Sequence, residues 1–441
     1  MKKIWLNYWI KDWHFFYKIG YALVTTGSRA YFRGFQYEGK SKIPKNAGIV
    51  YAVNHQNAFL DPIVLAGQTN APLYYLTRAD IFKKKLANKL LRQLYMLPIF
   101  RQRDGVDTIS KNATTFIECY DILKNQGNLV IFPEGNHNYK KLIRPLKKGL
   151  ARITLGTLHK YGKETPIYII PLGIDYENHF NMNSDILLNV GNPIDVSKYY
   201  DQFQENNVEA INKLTFKVFD ELRTLVINIE DQENYEEIYY LLHRFPLSKK
   251  VSSVIEKFNL RQGKLRKTEQ IKIQDPSVYN KLLSDIKSVQ SFTKKNSIRP
   301  YLLEIPEDSF IKLFGISIIM FILLPVHLLG LITNYIPYKI PVWIVENKIK
   351  DKHFHSSLKQ VIGVVLFILY WLIITIFIFA YLDWKIGLIC VFSLPLISLL
   401  NFRYWILYIK IKGRWNYRKA IKKEDFLIIK KAFDSVQSLV G

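Results

Sequence analysis

Two uncharged stretches after residue 310 constrain this chain more than any other feature. Leu313 to Thr333 and Val361 to Tyr381 each run 21 residues without Asp, Glu, Lys or Arg. As helices rising about 1.5 Å per residue, both are long enough to cross about 30 Å of hydrocarbon. A third apolar run, Ile386 to Phe402, follows after only Leu382-Asp383-Trp384-Lys385. The last two runs are therefore expected to form a hairpin of spans. Pro325 and His327 interrupt the first run, which is expected either to span, with neighbours meeting the freed carbonyl, or to re-enter on one face. Basic residues flank the runs, Lys339, Lys348, Lys350, Lys352 and Lys359 before the hairpin and Arg403 to Lys423 after it. The positive-inside rule puts both flanks in the cytoplasm and favours an even number of crossings.

The chain carries 62 Lys+Arg against 37 Asp+Glu, a formal charge of +25, so its partners are expected to be anionic. Cys119 and Cys390 lie far apart, which excludes a disulfide scaffold and a cysteine-built metal site. Hydrophobic residues at 49% exclude a disordered basic chain. A nucleic-acid binder would use dispersed cations and stacking aromatics, but no recognition motif is present and lipid is an equal target. A transporter needs more spans, with ionisable groups inside them. Residues 1–33 mix Trp5, Trp9 and Trp13 with Lys2, Lys3 and Lys11, a pattern expected of an interfacial segment rather than a secretory signal.

Between these membrane-directed ends, residues 34–200 read as an α/β domain. Apolar runs at Gly48–Val53, Asn128–Phe132, Ile167–Leu172 and Ile186–Val190 look like buried strands, separated by helical stretches such as Thr108–Asn125 and Leu150–Lys160. That alternation predicts a mixed, mainly parallel sheet with flanking helices, and ligands beyond the strands' carboxyl ends. Residues 201–300 read as a helical accessory region, 301–408 as the membrane-embedded region with transmembrane helices, and 409–441 as a basic tail.

The polar motifs sit at those strand ends. Asn54-His55-Gln56-Asn57-Ala58-Phe59-Leu60-Asp61-Pro62 follows the first strand. Asp61-Pro62 is expected to start a helix, with the aspartate as cap, and one or two turns would bring its carboxylate back to His55. The imidazole could then take a proton from an alcohol while the carboxylate fixes its tautomer. Pro98-Ile99-Phe100-Arg101-Gln102-Arg103 offers guanidinium forks suited to phosphate. Phe132-Pro133-Glu134-Gly135 offers a carboxylate and a flexible turn for a hydroxylated substrate. Pro145-Leu146-Lys147-Lys148-Gly149 and Ile170-Pro171-Leu172-Gly173 come next.

The order NHxxxxxDP, PIFR, FPEG, IPLG resembles the glycerolipid acyltransferase family, which contains glycerol-3-phosphate and lysophosphatidate acyltransferases. The five-residue spacer QNAFL between His55 and Asp61 resembles the fungal-type glycerol-3-phosphate and dihydroxyacetone-phosphate branch. Asn136-His137 stands where many members have a hydroxyl residue and an arginine. The resemblance implies the glycerolipid acyltransferase fold, with His55 as general base and Asp61 as its partner. It places Arg101, Glu134 and Gly135 around the acceptor and Pro171 near the donor; Arg103 and Lys148 are further candidate substrate-binding residues. It further implies acyl transfer from acyl-CoA or acyl carrier protein to glycerol 3-phosphate or 1-acylglycerol 3-phosphate, at a membrane whose phospholipids are partners; the basic flanks lead to the expectation that the catalytic domain is on the cytoplasmic face. Neither a cofactor nor a metal is expected, and a lipid-binding relative without activity is the alternative from another class.

Overall fold

A computed structural model describes residues 15–69, 71–100, 108–247, 251–349 and 355–441. Of these, the residues up to 228 together with 253–255 form one compact unit, and the rest of the described residues from 229 onward form another. Trp5, Trp9 and Trp13 of the expected interfacial segment lie outside the described residues, as do Arg101 and Arg103.

In the first unit the chain runs through α1 (Phe15–Tyr31), β1 (Gly34–Glu38), β2 (Gly48–Val53), α2 (Leu60–Ala66), β3 (Leu73–Arg78), α3 (Lys85–Gln93), β4 (Met96–Ile99) and α4 (Thr108–Lys124). It continues with β5 (Asn128–Ile131), α5 (Gly149–Tyr161), β6 (Ile167–Tyr176), β7 (Asp185–Val190), β8 (Ile194–Asp195) and α6 (Asn207–Thr224). The sheet order is β1-β7-β6-β2-β5-β3-β4, with β8 on β6. Strands β6, β2, β5, β3 and β4 are mutually parallel, and β6 meets β7 and β8 antiparallel. This is the mixed, mainly parallel sheet that the alternation of apolar runs predicts.

Every residue of β2, GIVYAV, is buried, because both faces of a central strand are covered. Val50 and Ala52 face α4, α5 and α6, while Ile49, Tyr51 and Val53 face Leu60, Val64 and Leu65 of α2. Helix α6 presents Ala210, Leu214, Val218 and Leu222 at four-residue spacing to the first of these cores. That stripe ties it to the sheet, so the first compact unit extends to residue 228 rather than ending near 200.

The second unit is helical: α7 (Tyr235–Arg244), α8 (Val254–Gln274), α9 (Pro276–Lys295), α10 (Phe310–Ile322), α11 (Leu324–Lys348), α12 (His355–Tyr381), α13 (Trp384–Ala420) and α14 (Phe426–Val440). Asp275 caps α9 by accepting from Ser277 N and Val278 N at 3.0 and 3.1 Å. The stretch read as a basic tail is folded: Ile429, Phe433, Val436 and Val440 of α14 share a core with Leu282, Ile286 and Val289 of α9.

Among the described residues, 324–348, 358–381 and 384–420 are the helices long and apolar enough to cross a membrane. The run Leu313 to Thr333 does not form one span. It divides at Leu323, where α10 ends and Pro325 enters the first turn of α11, so the span-length helix reaches past Lys339. Inside α11, Pro337 has no N–H for the Thr333 carbonyl, and Trp371 Nε1 of α12 donates to that oxygen at 3.3 Å instead.

Candidate active site

Strands β2 and β5 end at the same level, with Ala52 opposite Ile131, so the segments after them emerge side by side. His55 N donates to Glu134 Oε1 at 2.8 Å, and Asn138 N donates to the His55 carbonyl at 3.0 Å. The two motif loops are thereby stitched together through backbone atoms. The His55 ring stacks on Phe132 with centroids 4.1 Å apart, and its side chain is 14% exposed. His137 stands edge-on to it at 5.6 Å.

Asp61 reaches His55 as expected, though it does not cap the helix. It lies within the first turn of α2, whose N-cap position is Phe59. Its carboxylate turns back to the loop, where Oδ2 accepts from Gln56 N and Asn57 N, each at 2.8 Å, and lies 2.9 Å from His55 Nδ1. The capping contact comes from Asn57 Oδ1, which accepts from Leu60 N at 3.3 Å. Oδ1 of Asp61 accepts from Tyr176 OH at 2.6 Å. With two amides and a phenol already donating to Asp61, the Nδ1 contact is one in which His55 donates, and in the neutral ring that arrangement leaves Nε2 as the acceptor.

Glu134 is 5% exposed. Its Oε2 accepts from Arg144 Nε at 2.7 Å and Arg144 N at 3.3 Å, and Arg144 also donates to the Asn136 side chain and carbonyl. Burial pushes the Glu134 carboxyl above its ordinary value, against the lowering effect of Arg144 and the His55 amide. Gly135 sits at φ +76°, a conformation open to glycine, and the turn is closed by Lys147 N donating to the Pro133 carbonyl at 2.6 Å.

Two further sequence candidates, Lys148 and Pro171, make no side-chain hydrogen bond or ion pair with His55, Asp61 or Glu134 among the described residues. Lys148 is exposed immediately before α5. Pro171 is buried within β6 opposite Ala52, its carbonyl accepting from Gly191 N at 2.8 Å.

Several residues of the assembly were given no role by the sequence. Asn54 opens the NHxxxxxDP motif without one: its Nδ2 donates to the Ile174 carbonyl at 3.0 Å and its Oδ1 accepts from Ile174 N at 2.7 Å, fastening the loop to β6. Lys141, fully buried, donates to Asp175 Oδ1 and the Tyr176 carbonyl, both at 2.7 Å, and so holds the end of β6 where Tyr176 meets Asp61. His179 Nε2 lies 2.8 Å from Gln56 Oε1. Arg144 stands ten residues beyond Glu134 in an irregular segment, where charge alone does not single it out.

Residues 34–175 match the family model described as Acyltransferase. Glycerol-3-phosphate O-acyltransferase 2 of Saccharomyces cerevisiae is 27% identical over 135 residues, covering 30% of this chain and 18% of that protein. Glycerol-3-phosphate O-acyltransferase 1 of the same yeast is 23% identical over 260 residues, 56% of this chain and 33% of the relative. The 1-acyl-sn-glycerol-3-phosphate acyltransferase of Borreliella burgdorferi is 23% identical over 192 residues, 42% of this chain and 71% of the relative. Among solved structures, the 1-acyl-sn-glycerophosphate (LPA) acyltransferase PlsC from Thermotoga maritima matches at a TM-score of 0.33 with 17% identity, covering 50% of this chain and 88% of that one. The chain thus spans a third or less of the length of its two yeast relatives.

Proposed function

We propose that the acyltransferase-family domain formed by residues 34–175 transfers a fatty acyl group from an acyl thioester to a hydroxyl of glycerol 3-phosphate. The observation that carries this reading is the His55 imidazole at a strand end, its Nδ1 held 2.9 Å from Asp61 and its side chain still partly open to solvent. Nε2 takes the proton of the acceptor hydroxyl as that oxygen attacks the thioester carbonyl. A new C–O bond forms, the tetrahedral oxyanion collapses, the C–S bond breaks, and His55 returns its proton to the departing thiolate. Asp61 stabilises the imidazolium in between. The thioester is already activated and the acceptor is itself the nucleophile, so the reaction requires no enzyme-bound acyl intermediate.

In purified, correctly folded protein, His55→Ala is expected to lower acyl transfer by about 10²-fold or more. Asp61→Asn is expected to be comparably severe, because it turns an NH₂ group toward donors. Near-full kcat in His55→Ala would remove the base from its role. The acceptor is settled by assaying labelled acyl-CoA and acyl carrier protein against glycerol 3-phosphate, 1-acylglycerol 3-phosphate, dihydroxyacetone phosphate and a phosphate-free alcohol. The two yeast relatives favour glycerol 3-phosphate. The second reading is 1-acylglycerol 3-phosphate, favoured because the chain covers 71% of the Borreliella relative named for it. Exclusive formation of phosphatidate would select that second reading.

The same proposal puts this domain on the cytoplasmic face of a cell membrane. Its support is the basic sequence on either side of the 358–381 and 384–420 helices. In a variant lacking the native cysteines, cysteines replacing Lys163, Lys359 and Trp415 should all be protected from an impermeant thiol reagent in intact cells. Labelling of any one would contradict this orientation.

A further inference from the structure

Helix α3 connects two parallel neighbours, β3 and β4, and such a crossover helix ordinarily buries an apolar stripe on the sheet. This one buries none of its residues. Leu86 is 82% exposed and Leu90 is 42% exposed, one turn apart on one face, and Ile81 just before the helix is also exposed. Around them stand Lys83, Lys84, Lys85 and Lys89, all exposed and none in an ion pair among the described residues, whereas Arg92 is paired with Glu118.

The neighbouring helix continues the surface. Tyr17 and Tyr21 on the inner side of α1 pack with Tyr95, just before β4. The outer side shows Phe15, Ile19 and Leu23 at four-residue spacing, all exposed. Apolar stripes on two adjoining helices, bordered by unpaired lysines, leave water on an area that has a chemical complement in only a few partners. An acidic protein would satisfy the lysines but must also supply a long apolar strip. A bilayer containing anionic phospholipid supplies both at once, since lysines meet headgroups while leucines and phenylalanine enter the acyl boundary.

We infer that α3, together with the outer stripe of α1, is a docking face by which the sheet-bearing unit rests on an anionic lipid surface, distinct from the span-length helices of the second unit. This contact does not depend on which acyl acceptor is used.

The full-length chain, with Cys119 and Cys390 replaced, is reconstituted in nanodiscs containing phosphatidylglycerol and phosphatidylcholine. An environment-sensitive fluorophore is attached at Leu86→Cys or, as a control on the same unit, at Lys163→Cys. Leu86 is exposed and the Lys163 side chain is only partly covered, so neither substitution opens a core. Phospholipid carrying a doxyl quencher high on its acyl chain should quench the label at 86 by about half and leave that at 163 nearly untouched. Changing Lys83, Lys84, Lys85 and Lys89 to Gln, or omitting phosphatidylglycerol, should reduce the quenching at 86 at least about twofold. Equal quenching at 86 and 163 overturns the docking face. Quenching indifferent to both lysines and anionic lipid overturns the headgroup contact. Loss of quenching on adding acyl carrier protein assigns the surface to that protein instead and also overturns it.

Discussion

Asp61 and Glu134 are both buried carboxylates beside His55, yet they are satisfied differently. Asp61 is met by backbone amides, a phenol and the imidazole, while Glu134 is met by the Arg144 guanidinium and the amides of Arg144 and His55. This asymmetry gives the Glu134–Arg144 pair a measurable signature. Arg144→Ala strands a carboxylate in a site that burial already makes unfavourable for charge, and should cost about 3 kcal/mol of stability. The double variant Glu134→Gln, Arg144→Met should be less damaged than Arg144→Ala alone. Denaturant unfolding of the three proteins checks the order, and a double variant as unstable as Arg144→Ala would show that the guanidinium acts mainly through Asn136. His55 and Glu134 were legible in the sequence because each sits just past an apolar strand, and Asp61 because it precedes a proline in the same short motif as His55. Arg144, Tyr176 and Lys141 were not, since each meets the site from a segment whose local pattern carries no sign of its neighbour.

At the scale of the element, spacing succeeded where one side of a helix faces a core and failed where proline or a second helix decides. The central strands were visible as continuous apolar runs, but β3 and β4 are short and partly exposed, and the runs LYYLTR and MLPI carry no such uniformity. The apolar run 313–333 was divided by Pro325 into a short helix and the start of a longer one. Farther along α11, Pro337 leaves the Thr333 carbonyl to Trp371 of α12. Trp371→Phe should therefore destabilise the helix pair by about 0.5–1.5 kcal/mol, in the range of interhelical hydrogen bonds in membranes. In a Pro337→Ala background, where the backbone N–H returns, the same change should cost clearly less. Unfolding of the four proteins in bicelles measures the difference, and equal costs in both backgrounds would mean that Trp371 acts by packing alone.

For the molecule as a whole, acidity should act first on the sheet-bearing unit. His179 is held well below its ordinary value of 6.5 by burial and then by the Lys141 charge, so the folded state refuses a proton that the unfolded chain accepts. Above about pH 6.5 this has no effect, since neither state is protonated. Below that value stability should fall by about 1.4 kcal/mol per pH unit until the folded-state pKa is reached. Unfolding followed between pH 7.5 and 5 should show this slope, and His179→Gln should flatten it; an unchanged slope would assign the acid sensitivity to other groups. What the sequence alone determined is what depends on neighbours along the chain: span-length apolar runs, the α/β alternation, and motifs at strand ends. The pairing order of the strands, the extension of the first unit through α6, the folding of 426–440 against α9 and the bracing of Asp61 by Tyr176 were decided only in three dimensions. These features join residues far apart in sequence, and such contacts form only when each partner's buried face or unpaired polar group finds its complement.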